Sequence, residues 1–466
     1  MTRAREMIAL ALVAFAAGTQ LPLTGWNAGA HYALVQSLVD GTPKIDKHLN
    51  QSGDIAYYHG HYYAAKSPGL AVLSLPDYLV FDAAGSVPST RPTTLGPPGA
   101  KGIEERNLWQ VNLVVVGCFL ALLLLIRWAV DRVVPRAGLA VALMLGLGTM
   151  LLPFATVYFS HVPSAALGFG AFAVLLATRS RAPGLPLAAA GLLAGLAVFM
   201  EITLAVISAG LAVYALWDQP RLRRAVLFGG GFLVGVLPLG AYNWWAFGSP
   251  FQSGYAYAVK ELGATGHDVI GANASGFFGL THPSPHALRV VLIGERGLFT
   301  LAPVTAVALA GLVPLARRGY RREAIVIGGT TVAMFLYNAS YYLPLGGGSP
   351  GPRFLVPLLP LLALPLAAAF RAWPIVTIVT AIASVFWMAV ATVGEPILAE
   401  DASPTLWLSH VWHATNLAQS IFGIGHTAEA AFAAPAAAAL ALAFAQHVPR
   451  MLSWRRLGRR APALIE

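Results

Sequence analysis

Residues 53–69, GDIAYYHGHYYAAKSPG, gather one aspartate, two histidines, four tyrosines and a lysine in a chain otherwise poor in charge. A carboxylate and an ammonium group about a dozen residues apart suit transfer of a sugar from a lipid-phosphate donor. The donor's phosphate is also the leaving group, and Lys66 can hold it as a compact point charge. An acceptor hydroxyl needs a general base, which Asp54, or Asp46 just upstream, can supply. Tyr62 and Tyr63 offer flat faces and hydroxyls to a sugar ring, and His59 and His61 offer further polar contacts. The same residues also suit an interfacial belt, because tyrosine and lysine favour the headgroup level of a bilayer, and Asp54 also suits a turn after Gly53.

Other polar residues stand out against the apolar background. Arg353 follows three glycines and a Gly-Pro pair in LGGGSPGPRFLVPLLP. Those glycines let backbone approach a ligand, and the guanidinium can clamp a phosphate bidentately; a snorkelling arginine is the alternative. His161, in VYFSHVPSA, reads as a hydrogen-bonded turn residue or a substrate contact. Glu201, in FMEIT, is an acid close to a membrane interior, where acids serve function, or else it caps a helix. In GERGLFTLAP, Glu295 and Arg296 suit a local ion pair or a headgroup contact, and Arg296 alternatively suits a substrate contact. The stretch YNWWAFGSPFQSGYAY, with Tyr255, suits a sugar-stacking wall or an aromatic girdle. His410, His413 and His426 are spaced too loosely for a metal site. The single cysteine, Cys118, forms no intrachain disulfide.

The elements that must position these groups follow from composition. The 466 residues are 57% hydrophobic and 11% charged, with a mean hydropathy of +0.66. That exceeds what a soluble domain hides, and continuous apolar runs rather than period-two alternation exclude a β-barrel. The expected fold class is an all-α polytopic membrane protein, a single domain over 1–466. Twelve spans are read at 7–25, 108–127, 137–155, 163–178, 184–199, 202–217, 225–241, 299–316, 324–341, 354–370, 374–393 and 428–446. The first resembles an uncleaved signal anchor.

With both termini cytoplasmic, the inner segments 1–6, 127–136, 179–183, 218–224, 317–323, 371–373 and 447–466 hold 20 of the 30 basic residues, as the positive-inside rule requires. The net charge of +10 is thus a topological signal, and no nucleic-acid partner is expected. Three long segments fall outside: 26–107, 242–298 and 394–427. The first holds two segments read as interfacial helices, one around His31, Leu34 and Leu38, the other over 67–85 and broken by Pro76 and Asp77.

The order of motifs resembles a family. One span is followed by a long outer loop with an acid and YYAAKSPG, then FGSPF, RGLFTLAP and GPRFLVPLLP. Over roughly 7–370 this is similar to the GT-C membrane glycosyltransferases, in particular bacterial relatives of the protein O-mannosyltransferases and the aminoarabinose–lipid A transferase (glycosyltransferase family 39-like). The resemblance implies a GT-C-like bundle in a bacterial plasma membrane and a polyprenyl-phosphate sugar donor. It also implies transfer on the extracytoplasmic face to a glycan, lipid or protein acceptor. It points to Lys66 and Arg353 as donor phosphate ligands and to a carboxylate of the first outer loop as base, Asp54 ahead of Asp46. His59, His61, Tyr62, Tyr63, His161, Glu201, Tyr255 and Arg296 are then substrate contacts. Two positions depart from the family pattern: Asn27 stands where relatives carry an acid after the first span, and Ala65 where they carry one before the lysine. No cofactor is therefore expected, with a divalent metal left open. A transporter or flippase, and an inactive GT-C scaffold, are the alternatives to an enzyme.

Overall fold

The structure is a computed structural model and describes residues 3–20, 25–84, 105–179, 182–259, 279–394, 396–398, 403–411 and 428–444. The middle of the second outer segment, His413, His426 and the basic tail after 444 lie outside the described residues.

Each of the twelve apolar runs carries helix. In chain order the helices are α1 (Arg3–Gly18), α2 (Trp26–Val39), α3 (Gly69–Ala83), α4 (Glu105–Val133), α5 (Gly138–Gly148), α6 (Leu151–Thr156), α7 (His161–Ala177), α8 (Leu185–Met200), α9 (Leu204–Ala215) and α10 (Arg221–Phe247). The second half adds α11 (Pro285–Ile293), α12 (Leu298–Leu301), α13 (Val304–Ala310), α14 (Leu312–Arg317), α15 (Arg321–Ser340), α16 (Ala363–Ala372), α17 (Pro374–Val393), α18 (Pro404–His410) and α19 (Ala428–Phe444). Among the described residues four helical stretches are long and apolar enough to cross a bilayer alone: 111–133, 221–247, 353–372 and 374–393. A fifth arises if 285–301 and 304–317, bent by 101°, count as one.

Several runs expected to be single rods are broken, and proline accounts for most of the breaks. Pro303 separates α12 from α13, and Pro357 and Pro360 turn Arg353–Leu362 into a 3-10 helix leading into α16. Each removes an amide donor and crowds the preceding turn. Proline does not break every helix: α3 runs through Pro76 instead of breaking there as expected, and α10 and α19 run through Pro238 and Pro435.

Helices α8 and α10 lie unusually close. A Cβ on Gly191 would sit 2.0 Å from the carbonyl oxygen of Phe228, and one on Gly235 would sit 2.3 Å from that of Leu192. Gly191 and Gly195 on one helix face Gly231 and Gly235 on the other, the small-residue spacing that lets apolar helices pack backbone to backbone. At one end of the bundle, arginines and acids from distant segments pair: Arg127 with Glu6, Arg179 with Glu323 at 3.3 Å, and Arg322 with Asp218 at 2.7 Å.

A small sheet stands at the opposite end, which corrects the all-α expectation. Strands β1 (Ile55–Tyr58) and β2 (His61–Ala64) form an antiparallel hairpin, and β3 (Ala258–Val259) pairs with the other edge of β1. The hairpin turn is the two residues His59 and Gly60, both at positive φ, +50° and +85°. Two such residues give the turn whose twist matches that of paired strands. Tyrosine and isoleucine suit the strands.

Candidate active site

The hairpin explains why an acid and a lysine twelve positions apart meet. Ile55 pairs with Ala64, so the chain on either side closes Asp54 toward Ala65 and Lys66. The Ala65 amide donates to the Asp54 carbonyl at 3.1 Å. The Lys66 Nζ then lies 3.2 Å from an Asp54 carboxylate oxygen, with both side chains mostly buried. Ser52 fixes the other side: it accepts from the Asp54 amide at 2.9 Å and donates to the Trp26 carbonyl at the start of α2.

Lys66 projects into a cavity of about 340 Å³ at this end of the bundle. Asn27 and His31 enter it from α2, and His161 from the start of α7. Glu201 comes from the end of α8, Tyr255 from the short 3-10 helix Gly254–Tyr257, Tyr337 from α15 and Arg353 from the 3-10 helix Arg353–Leu362. Lys66 sits 5.6 Å from the Tyr255 ring centroid, within cation–π range. Among the described residues, three polar atoms of the wall are buried without a hydrogen-bond partner: Asn27 Oδ1, His31 Nδ1 and Arg353 Nε. Buried polar groups are normally paired, so three orphans in one cavity mark a place for a polar ligand.

Arg353 reaches the cavity because its approach is lined by glycine. Gly346 has φ +78°, and a Cβ there would lie 2.7 Å from the arginine side chain. His161 and Glu201 form a buried pair: Nδ1 lies 2.6 Å from the Glu201 carboxylate, which also accepts from Ser164 at 3.2 Å and Thr203 at 2.8 Å. Burial, and next the Lys66 ammonium, push His31 down to about 3, so its imidazole is neutral at any physiological pH. Burial likewise raises the Tyr255 phenol, which stays protonated as a donor.

The remaining sequence candidates lie elsewhere. Asp46 binds the outside of the hairpin, accepting from the Tyr62 amide at 2.8 Å and contacting His61 Nδ1 at 2.9 Å. It fastens the preceding 3-10 turn to β2 rather than entering the cavity. His59 is the exposed hairpin tip, stacked on Tyr58. Tyr62 packs on Tyr57, and Tyr63 is buried against Phe247. Arg296 donates to the carbonyls of Gly347 and Ser349 at 3.2 and 3.3 Å, holding the glycine loop that presents Arg353. Asp54 itself does not line the cavity; its carboxylate meets the lysine that does. Asn27 and His31, one helical turn apart on α2, join the site although the sequence marks the first only as a departure from the family pattern and the second only as part of an interfacial face. Their i, i+4 spacing was the available signal. Among the described residues no cluster of three His, Cys, Asp or Glu side chains is set to hold a metal ion.

Two apolar grooves adjoin this end. One, of about 840 Å³, runs between α8 and α10 and shares Ile202 and Ser253 with the polar cavity. The other, of about 1020 Å³, is bounded by α3, α4, α7 and α8.

No protein-family description matches the sequence, and no curated protein matches it. Solved structures do. ArnT from Cupriavidus metallidurans, bound to undecaprenyl phosphate, superposes with a TM-score of 0.55 at 17% identity over 94% of this chain and 74% of that one. Its apo form gives 0.51 over the same shares. At this identity the likeness is one of fold: the chain shares its overall architecture with ArnT.

Proposed function

We propose that this protein transfers a sugar from a polyprenyl-phosphate donor to an acceptor hydroxyl on the extracytoplasmic side of a bacterial plasma membrane. The observation that carries this reading is the convergence of Lys66 and Arg353 on one cavity whose wall also holds three unpartnered polar atoms. Two cations suit a phosphate that gains charge as it leaves, and preorganised charge at a leaving group lowers the barrier without reorganisation. Asn27, the neutral His31 and the protonated Tyr255 suit sugar hydroxyls. The groove between α8 and α10, which shares Ile202 and Ser253 with the cavity wall, suits the prenyl chain. The solved ArnT complex with undecaprenyl phosphate supports a donor of this class. In the absence of donor, Asp54 neutralises Lys66; an incoming phosphate competes for the same ammonium.

The reaction is inverting in this scheme. The acceptor oxygen attacks the anomeric carbon as the bond to the phosphate oxygen breaks, and polyprenyl phosphate departs. Purified protein in vesicles, incubated with radiolabelled undecaprenyl-phosphate mannose or arabinofuranose and octyl mannoside as acceptor, tests it. Labelled octyl glycoside and free undecaprenyl phosphate are expected. Lys66→Ala and Arg353→Ala should each weaken undecaprenyl-phosphate binding about ten- to a hundredfold, the worth of a charge-assisted hydrogen bond. Passage of intact donor across the vesicle without chemistry favours a flippase, and neither outcome leaves a scaffold.

A further inference from the structure

We propose that His161, oriented by Glu201, is the base that takes the proton from the acceptor hydroxyl. This assignment rests on the transfer reading above and replaces the expectation that Asp54 is the base. An in-line displacement separates base and leaving group on opposite faces of the anomeric carbon. Asp54 is bonded to the lysine assigned to the leaving phosphate, 3.2 Å from its ammonium, and does not line the cavity. Its negative charge is engaged with that lysine.

Among the described residues lining the cavity, Glu201 is the one carboxylate. Its oxygens are already occupied. One accepts from His161 and Ser164, with Ser160 at 3.4 Å, and the other accepts from Thr203. A carboxylate so engaged is stabilised as an anion and has little capacity left to take a proton itself. What it does instead is hold the imidazole. The bond to Nδ1 assigns the proton to that nitrogen and leaves the Nε2 lone pair free, the arrangement by which a buried acid orients a histidine base. Nε2 makes no hydrogen bond among the described residues.

The ring cannot easily turn away. Phe154, Phe159 and Phe354 meet it edge-on with centroids at 5.0, 6.0 and 6.2 Å. Its backbone is the first residue of α7, while Glu201 ends α8, the helix clamped to α10 by paired glycines. Two packed helix ends thus set the pair, which a base must have to act at a fixed point. During the step the hydroxyl proton passes to Nε2, the acceptor oxygen bonds to the anomeric carbon, and the electron pair of the breaking bond leaves on the phosphate. The imidazolium, stabilised by Glu201, then releases its proton to the outer solution.

The test uses the full-length protein with undecaprenyl-phosphate mannose and octyl mannoside, or whichever of the two labelled donors wild type turns over. His161→Gln should lower kcat by about a hundred- to ten-thousandfold while the donor KM changes less than about threefold. His161→Ala should regain part of its kcat on addition of imidazole, whereas wild type and Asp54→Asn should not respond. Glu201→Gln, the positioning variant, should lower kcat at least about tenfold with donor KM nearly unchanged. Melting temperature and undecaprenyl-phosphate binding identify any variant that has lost its fold. His161→Gln with kcat within about threefold of wild type overturns the assignment. So does a folded, donor-binding His161→Ala that imidazole does not rescue. A wild-type protein that turns over neither donor overturns the transfer reading itself, and this assignment with it.

Discussion

His31 shows how one residue's chemistry is set by what surrounds it. A surface histidine titrates near neutrality, but this ring is 1% exposed and stands near Lys66, so it stays neutral down to about pH 3. The sign of the effect on stability follows. Between its ordinary value of 6.5 and about 3 the unfolded chain binds a proton that the folded ring refuses. Stability therefore falls as pH falls through that window, by up to about 1.4 kcal/mol per pH unit. His31→Asn should make the fall in melting temperature from pH 6.5 to about 4.5 shallower; an unchanged slope means the ring is not shielded. Lys66 and Asp54 carry the complementary lesson. Neither residue type is unusual at a membrane interface, and what distinguishes them is a mutual contact that neither announces alone.

That contact belongs to the hairpin, and the hairpin depends on its turn. Gly60 sits at φ +85°, with open space where a side chain would project, so a substitution there acts through backbone strain alone. A β-branched residue pays about 1–2 kcal/mol in the left-handed region, while asparagine tolerates it. Gly60→Val is expected to loosen the meeting of Asp54 and Lys66 and lower kcat/KM for the donor several-fold, although it lies outside the cavity; Gly60→Asn should restore most of the loss. Equal activity in all three forms means the pairing does not need the turn. The hairpin was partly legible: IAYY and HYYA are strand-forming runs around a two-residue turn containing glycine. Histidine in place of asparagine or aspartate hid the turn signal. The paired glycines of α8 and α10 were legible as spacing within each helix, but not as partners.

At the scale of the molecule, charge is sorted to two ends. Glu6, Asp131, Asp218 and Glu323, from segments expected on the inner side, all pair with arginines of those segments. The hairpin and the cavity lie at the other end. Orientation in the membrane follows as a prediction. In a Cys118→Ser background, a membrane-impermeant maleimide applied to intact cells should label His59→Cys at the hairpin tip and spare Arg318→Cys. The opposite pattern inverts the topology and moves the cavity to the cytoplasmic side.

Hydropathy and arginine placement need no tertiary contact to be read, because lipid rewards apolar runs and the bilayer sorts charge segment by segment. The sequence therefore sufficed for a helical membrane protein and for the short list containing Lys66, Arg353, His161 and Glu201. Which of these meet was decided by folding. Arg296 was diverted to a glycine loop and Asp46 to the outer face of β2, while Asn27 and His31 were turned inward. Such convergence depends on how helix ends and a hairpin dock in three dimensions, and a residue's type does not encode its distance to a partner hundreds of positions away.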